Sequence, residues 1–396
     1  MTLTGNHHIP YGSHTITEED IAEVVDVLRN KFLTQGDVVP SFESSLAKRV
    51  CATYSVAVNS ATSALHLACL SLDVGPGDFV WTVPTTFVAS ANCALYCGAS
   101  IDFVDIDPDS GLMSLSCLEE KLISSRRLGT LPKAIIPVHL AGKSCDMKSL
   151  YDLVSQYGIK IIEDASHALG ATYKGRPVGS CEFSDATVFS FHPVKMITTG
   201  EGGMLVTNNA SIASKARQLR SHGIVKDRAL LSDTAKGDWY YEQHLLGFNY
   251  RLSDIQAALG LSQLKRLDQF VMSRNALFSH YIQLLKDTPF TMLDSLIEDD
   301  VSSLHLGVVR IPSISANEYL SIFTYMRSNN IGVQLHYSPV HLQPFYQRLG
   351  FTDGDFPASE TYAHTCLSLP LYVGLSSSSQ AGIIETLKQA YLQRTK

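Results

Sequence analysis

Short unbroken apolar runs punctuate the first half of the chain: Ser55-Val56-Ala57-Val58, Phe79-Val80-Trp81-Thr82-Val83, Ile101-Asp102-Phe103-Val104, Ala134-Ile135-Ile136-Pro137-Val138, Ile159-Lys160-Ile161-Ile162, Thr187-Val188-Phe189-Ser190 and Met204-Leu205-Val206-Thr207. Each has the length of a strand buried on both faces, as parallel sheets require. Between them the apolar positions take a helical period, over Ala61 to Leu70, Val88 to Tyr96, Met147 to Tyr157 and Ser211 to Ser221. That alternation predicts an α/β fold, a mainly parallel sheet with helices on both faces.

Flanking segments extend the pattern. Thr17 before Glu18, Glu19 and Asp20 marks a helix start, continued by Ile21, Val24, Val25 and Leu28, and Phe32-Leu33-Thr34-Gln35-Gly36 predicts a turn. From Leu252 to Asn275 one amphipathic helix carrying Ile255, Leu259, Leu264 and Leu267 is expected to connect a large domain (residues 1–251, its core from about 15) to a smaller C-terminal domain (252–396). In the latter, Leu306-Gly307-Val308-Val309-Arg310-Ile311 reads as a strand and Leu375-Ser376-Ser377-Ser378-Ser379 as a helix N-terminus. No internal repeat or low-complexity tract is evident.

Composition narrows the class. A chain of 396 residues exceeds the roughly 250–300 at which single cores stop growing, which fits two domains. Hydrophobic content of 45% with 17% charged residues excludes a disordered chain, and a net charge of −7 leaves no basic footprint for nucleic acid. Eight cysteines without CxxC spacing read as reduced core thiols, with no metal site. Met1 to His8 lacks a basic start followed by an apolar stretch, and no apolar run reaches the roughly 18 residues of a membrane span. The expected compartment is the cytoplasm, with no membrane partner.

Candidate chemistry sits on two loops. Asp164 follows Ile161-Ile162-Glu163, at the strand end where such sheets bind ligands, and Lys195 lies in Ser190-Phe191-His192-Pro193-Val194-Lys195-Met196, before Thr198-Thr199-Gly200-Glu201-Gly202-Gly203. Alone, Asp164 reads as a helix N-cap and Lys195 as a solvated lysine. Together they supply what pyridoxal 5'-phosphate (PLP) needs, an amine to form an imine and a carboxylate to keep the ring nitrogen protonated. Asn59-Ser60-Ala61-Thr62-Ser63 offers hydroxyls and backbone N–H groups for the phosphate at a helix start, although Thr62 and Ser63 also suit capping. Ser190 adds a hydroxyl, and Phe87 could cover the ring or simply pack in the core.

These motifs resemble the DegT family, the sugar aminotransferases among fold type I (aspartate aminotransferase-like) PLP enzymes, over nearly the whole chain. The resemblance implies that Lys195 carries the cofactor, Asp164 pairs with its ring nitrogen, Phe87 stacks on the ring, and Ser60, Ala61, Thr62, Ser63, His167 and Ser190 complete the cofactor site. It also implies a homodimer, in which Asn249 of Gly247-Phe248-Asn249-Tyr250-Arg251-Leu252 crosses to the partner's phosphate cup. Ile9-Pro10-Tyr11-Gly12, Lys31-Phe32-Leu33-Thr34, Ser166-His167-Ala168-Leu169-Gly170 and Gln334-Leu335-His336-Tyr337-Ser338-Pro339 resemble the branch serving pseudaminic acid biosynthesis. That branch aminates UDP-2-acetamido-2,6-dideoxy-beta-L-arabino-hex-4-ulose at C4 with L-glutamate. Tyr11, Lys31, Phe32, Leu33, Thr34, Ala61, Ser190, Asn249, Arg251, Gln334, Leu335, His336 and Tyr337 would then bind the substrate.

Three alternatives stand beside this one. Another nucleotide 4-keto sugar (a bacillosamine-type UDP sugar, or a GDP- or dTDP-sugar) would need the same machinery. A related sugar 3-dehydratase carries histidine at the lysine position, against Lys195. A non-catalytic regulatory protein would not need the intact Asp164 and Lys195 pair. His167 stands where many relatives carry glutamine, and it also suits a purely structural, hydrogen-bonded role.

Overall fold

Seven strands build the main sheet: β1 (Tyr54–Val58), β2 (Phe79–Thr82), β3 (Ser100–Phe103), β4 (Ala134–Ile135), β5 (Lys160–Asp164), β6 (Ala186–Ser190) and β7 (Gly203–Thr207). This computed structural model describes residues 8–394 except 234–235, 294–299 and 313; the Met1 to His7 stretch read above for a targeting signal lies outside the described residues. The spatial order is β1-β7-β6-β5-β4-β2-β3. Pairings from β6 to β3 are parallel, and β7 runs antiparallel to both its neighbours. The mainly parallel α/β sheet is therefore present, with one reversed strand.

Period-two alternation sends side chains to cores on opposite faces. Val56 and Val58 enter one core with helices Ala61–Ser71, Ala89–Tyr96 and Ala210–Arg220, whereas Ala57, Met204 and Val206 face the other with Phe42, Leu46, Phe189 and Phe191. The expected strand over Ala134 to Val138 is shorter, ending at Ile135, because Pro137 has no N–H for the ladder. Its carbonyl still accepts from Asp164 N at 2.9 Å, which fixes the end of β5.

The single helix expected from Leu252 to Asn275 is two, Asp254–Leu264 and Leu267–Leu285. Lys265 and Arg266 break it, and the Arg266 guanidinium turns to the fully buried Asp20 carboxylate. Asp20 and Val27 are the buried residues of helix Glu18–Asn30, while Ile21 and Leu28 face outward. The second body packs β8 (Thr291–Met292), β9 (Gly307–Arg310) and β10 (Cys366–Leu369) as an antiparallel sheet against helices Ala316–Ser328 and Ser377–Gln393. The serine run is a helix start as expected, with Ser376 as its N-cap.

Asp254, the first residue of helix Asp254–Leu264, ties the amino-terminal turn to that helix. Its fully buried carboxylate accepts from the backbone N–H of Gly36 (2.9 Å), Val38 (3.0 Å) and Val39 (3.2 Å), satisfying donors at the start of helix Val38–Val50. Asp254→Ala orphans two buried donors and a half-buried third, so it should lower the unfolding free energy by about 2–4 kcal/mol. A denaturation midpoint that moves by less than the equivalent of about 0.5 kcal/mol would show that the turn is held by other contacts.

Candidate active site

The parallel strands deliver their C-terminal ends to one edge of the sheet, and a cavity of about 970 Å³ opens there. Asp164 and Ser190 are the last residues of β5 and β6, Asn59 and Ser60 follow β1, and Thr86 and Phe87 follow β2. Lys195 sits on the loop after β6, in a turn closed by its own N–H to the His192 carbonyl at 2.9 Å. The small body supplies Gln334, Leu335, His336 and Tyr337 from the facing side, and Tyr11 comes from the amino-terminal segment.

Asp164 is buried and held from both oxygens. Ser90 Oγ donates to one at 2.6 Å and Ser166 N to the other at 3.0 Å. A carboxylate has about four lone-pair sites, so two remain for a further donor. Next to it Glu163 lies inside the protein, bonded to His139 Nε2 (2.7 Å) and Thr187 Oγ1 (2.9 Å), which anchors the strand that presents Asp164.

Lys195 is only partly exposed, and burial pushes its ammonium down to about 8 against an opposing upward pull from Asp164. Acylation of this amine in cofactor-free protein should therefore show a midpoint near pH 8, whereas ordinary lysines titrate at about 10.4. Between those pH values the unfolded chain holds a proton that the folded chain has lost, so the lysine's penalty on stability fades as pH rises through that window. Asp164→Asn removes the upward pull and should lower the midpoint further. A midpoint at the ordinary value would place the amine in solvent.

Buried imidazoles wall the other side. His167 Nδ1 accepts from Ala141 N at 3.3 Å, which leaves Nε2 to donate to the Tyr337 hydroxyl at 3.0 Å. Burial, then the charges of Lys195 and His336, hold His167 well below the usual range, so it is a neutral donor. Burial and Lys195 likewise push His336 down to about 3. Phe87 is 58% exposed beside the cavity, with its ring centroid 6.2 Å from that of Tyr337.

Ser60 caps helix Ala61–Ser71, its Oγ accepting from Ser63 N at 3.1 Å, and Ser63 Oγ donates to Asn59 Oδ1 at 2.6 Å. Capping therefore takes up only part of this segment's capacity, because the first N–H groups of the helix have no intrahelical acceptor. Gly203 permits the close approach of β7: a Cβ there would lie 2.5 Å from Ala61 N and from the Ser60 carbonyl carbon.

Of the residues expected at the site, the cavity brings together Tyr11, Ser60, Ala61, Thr62, Ser63, Phe87, Asp164, His167, Ser190, Lys195 and Gln334 to Tyr337. It does not include Lys31, Phe32, Leu33 and Thr34, all exposed, nor the exposed Asn249, nor Arg251, which bridges to Val58. Sequence reasoning missed Ser90 and the cavity-lining His305, whose buried Nδ1 has no hydrogen-bond partner. Among the described residues no cluster could hold a metal ion, no helix is long and apolar enough to cross a membrane, and all eight cysteines are free.

The same architecture recurs in solved structures. Spr1654 of Streptococcus pneumoniae, described as a candidate sugar aminotransferase and solved in a PMP form, is 32% identical with a TM-score of 0.89, over 98% of this chain and 100% of that one. Helicobacter pylori PseC, an aminotransferase involved in the biosynthesis of pseudoaminic acid, is 34% identical with a TM-score of 0.87 over the same shares. Among sequences, the Campylobacter jejuni UDP-4-amino-4,6-dideoxy-N-acetyl-beta-L-altrosamine transaminase (strain 81-176) is 39% identical over 86% of each chain. SpsC of Bacillus subtilis, a spore coat polysaccharide biosynthesis protein, is 38% identical over 98% of each. The fold and its relatives define a PLP-dependent aminotransferase of fold type I. Residues 14–388 match the model of the DegT/DnrJ/EryC1/StrS aminotransferase family, and the chain belongs to that family.

The residues present fit the cofactor: an acid with unfilled acceptor sites, a neutral-prone amine, an exposed aromatic ring and a helix start with free N–H groups face one cavity.

Proposed function

We propose that this protein transfers an amino group from L-glutamate to C4 of a nucleotide-linked 4-keto-6-deoxy sugar, UDP-2-acetamido-2,6-dideoxy-beta-L-arabino-hex-4-ulose, in pseudaminic acid biosynthesis. The observation that carries the chemistry is Lys195 and Asp164 at the rim of one cavity, the amine depressed towards neutrality. Similarity to the Campylobacter jejuni transaminase and to Helicobacter pylori PseC supports the sugar.

When bound, PLP supplies the electron sink for deprotonation next to nitrogen. Asp164 holds the ring nitrogen in its cationic form, and Ser90 and Ser166 N fix the carboxylate for that task. Lys195 Nζ takes the proton from the donor α carbon and, in the return half, delivers one to sugar C4. Phe87 would shield the ring face, Ser190, Thr62 and the helix start at Ala61 would hold the phosphate, and His167 backs the site by donating to the Tyr337 hydroxyl. Tyr11 and Gln334 to Tyr337 line the route for the nucleotide sugar.

The working unit in this proposal is a homodimer. Asn249 is exposed outside its own cavity, and Lys31 to Thr34 together with Ile21 and Leu28 leave an apolar surface, Phe32 being 79% exposed. Both segments then serve the neighbouring site, Asn249 at its phosphate and Lys31 to Thr34 with Arg251 at its sugar. Eight free thiols suit the reducing cytoplasm.

A second sugar has its own support, since a UDP-4-amino-4-deoxy-L-arabinose–oxoglutarate aminotransferase of Shewanella sediminis is 34% identical over 97% of this chain. Turnover of a panel of UDP-, dTDP- and GDP-4-keto sugars with glutamate, with NMR of the products at C4 and C5, separates them. Preference for the L-arabino-configured UDP sugar is expected. A strict preference for a D-configured sugar would remove the pseudaminic assignment and leave the transamination.

A further inference from the structure

One cavity-lining side chain has no part in the chemistry above. His305 is 5% exposed, yet among the described residues no hydrogen bond holds its ring, and its Nδ1 is buried without a partner. A buried polar group left unpaired costs stability, so its presence in a cavity wall points to a ligand.

The backbone around it is firmly set. Ser303 N donates to the Gly142 carbonyl at 3.1 Å, Ser303 Oγ to the His167 carbonyl at 2.7 Å, and Leu306 N to the Ala141 carbonyl at 3.3 Å. Gly142, at φ +99°, permits this approach, because a Cβ there would lie 2.8 Å from Leu304 N and 3.0 Å from His305 N. The His305 ring then lies 4.5 Å, centroid to centroid, from that of His167.

Beside this segment is a cation without an acid. Arg274, on helix Leu267–Leu285, is 3% exposed and gives Nη1 to the carbonyls of Leu371 (2.7 Å), His305 (3.2 Å) and Leu304 (3.3 Å). Its Nε has no partner, and among the described residues no carboxylate pairs with it. A buried guanidinium that nothing neutralises favours an anion nearby.

A dicarboxylate amino acid needs donors for two anionic groups, and among the described residues no arginine lines the cavity. Four histidines do. His167 has both nitrogens in hydrogen bonds, His336 Nδ1 meets Ser368 Oγ at 2.9 Å, and His192 is exposed. His305 is the one that is both buried and uncommitted.

We propose that His305 binds a carboxylate of the amino donor, its ring N–H donating to the anion while Arg274 adds positive potential through the same segment. The inference rests on the reading of glutamate as donor. Burial, then the charge of Lys195, hold the imidazole well below its usual range, so it acts as a neutral donor to a charged acceptor, which is the stronger kind of hydrogen bond. Transamination changes only the α carbon, so the same contact serves the departing 2-oxoglutarate.

The test uses the holoenzyme and reads binding as well as turnover. His305→Phe should raise the Kd of glutarate, measured by calorimetry, and the KM of glutamate by about tenfold or more, the loss expected for a hydrogen bond to a charged group. The KM of the keto sugar should stay within about threefold, and His305→Gln, which keeps an N–H, should restore most of the glutarate affinity. In crystals of the unsubstituted holoenzyme with α-methyl-L-glutamate, which has no α proton to lose, a carboxylate oxygen should lie within about 3.2 Å of a His305 ring nitrogen, and the density tells the α from the γ group. Both carboxylates seated away from His305 overturn the proposal even where a variant fails to fold, as does glutarate binding that His305→Phe leaves unchanged. No turnover with glutamate, while glutarate still binds through His305, would remove the donor reading and leave the carboxylate site standing.

Discussion

Lys195→Ala should lower turnover by roughly 10⁴-fold or more while leaving the fold intact, because in the proposed mechanism the variant loses both the amine that carries the cofactor and the group that moves the proton at the donor α carbon. The fold does not need this side chain: its cation is disfavoured by burial, so without cofactor the variant should melt at or slightly above the temperature of the unsubstituted protein at pH 7. Borohydride should fix PLP covalently to the unsubstituted chain, at Lys195, and not to the variant. Lys195→Arg tests the same point from the other side, since a guanidinium keeps the positive charge but cannot give up its proton to act as a base. Turnover within tenfold of normal in either variant, with a normal melting temperature, would move the proton transfer to another residue.

How much of this was legible before the structure depends on whether the cause is local. Buried strands show as apolar runs because both faces are covered, so six of the seven main strands match their runs to within about a residue or two at each end. The fourth is cut short by Pro137, which its run already contained. The reversed direction of β7 left no mark, since pairing partners, not composition, set strand polarity. Nor did the break at Lys265 and Arg266 show, because it answers to Asp20 far away in sequence. That Asp164 and Lys195 would meet at one edge of the sheet was readable from position and order. Ser90 was not, since a serine among Ala89, Ala91 and Asn92 looks like any small helical residue until β5 brings Asp164 to 2.6 Å from it. Asp254 gives no local signal, since its partners Gly36, Val38 and Val39 lie more than two hundred residues earlier.

Asp164→Asn is expected to cost roughly 10²–10³-fold in turnover, by analogy with the loss of one aligned electrostatic group, with little loss of stability. The hydrogen bonds explain why the fold should tolerate it. Ser166 N is a fixed backbone donor, so the asparagine must turn its oxygen towards it, and the amide nitrogen then faces Ser90 Oγ. That hydroxyl can accept, because its own proton can swing to Thr86 Oγ1 at 2.8 Å. What the amide cannot do is favour a proton on the ring nitrogen, since it carries no charge to raise that nitrogen's pKa. Both half-reactions use the same ring, so the rate with glutamate alone and the rate of sugar amination should fall by similar factors, while the KM for the sugar stays near normal. Asp164→Ala is the poorer probe, since it also strands the buried Ser166 N–H. Half-reactions that respond unequally, or an Asp164→Asn enzyme with normal rates, would separate Asp164 from the ring and leave it as a structural acid holding Ser90 and Ser166.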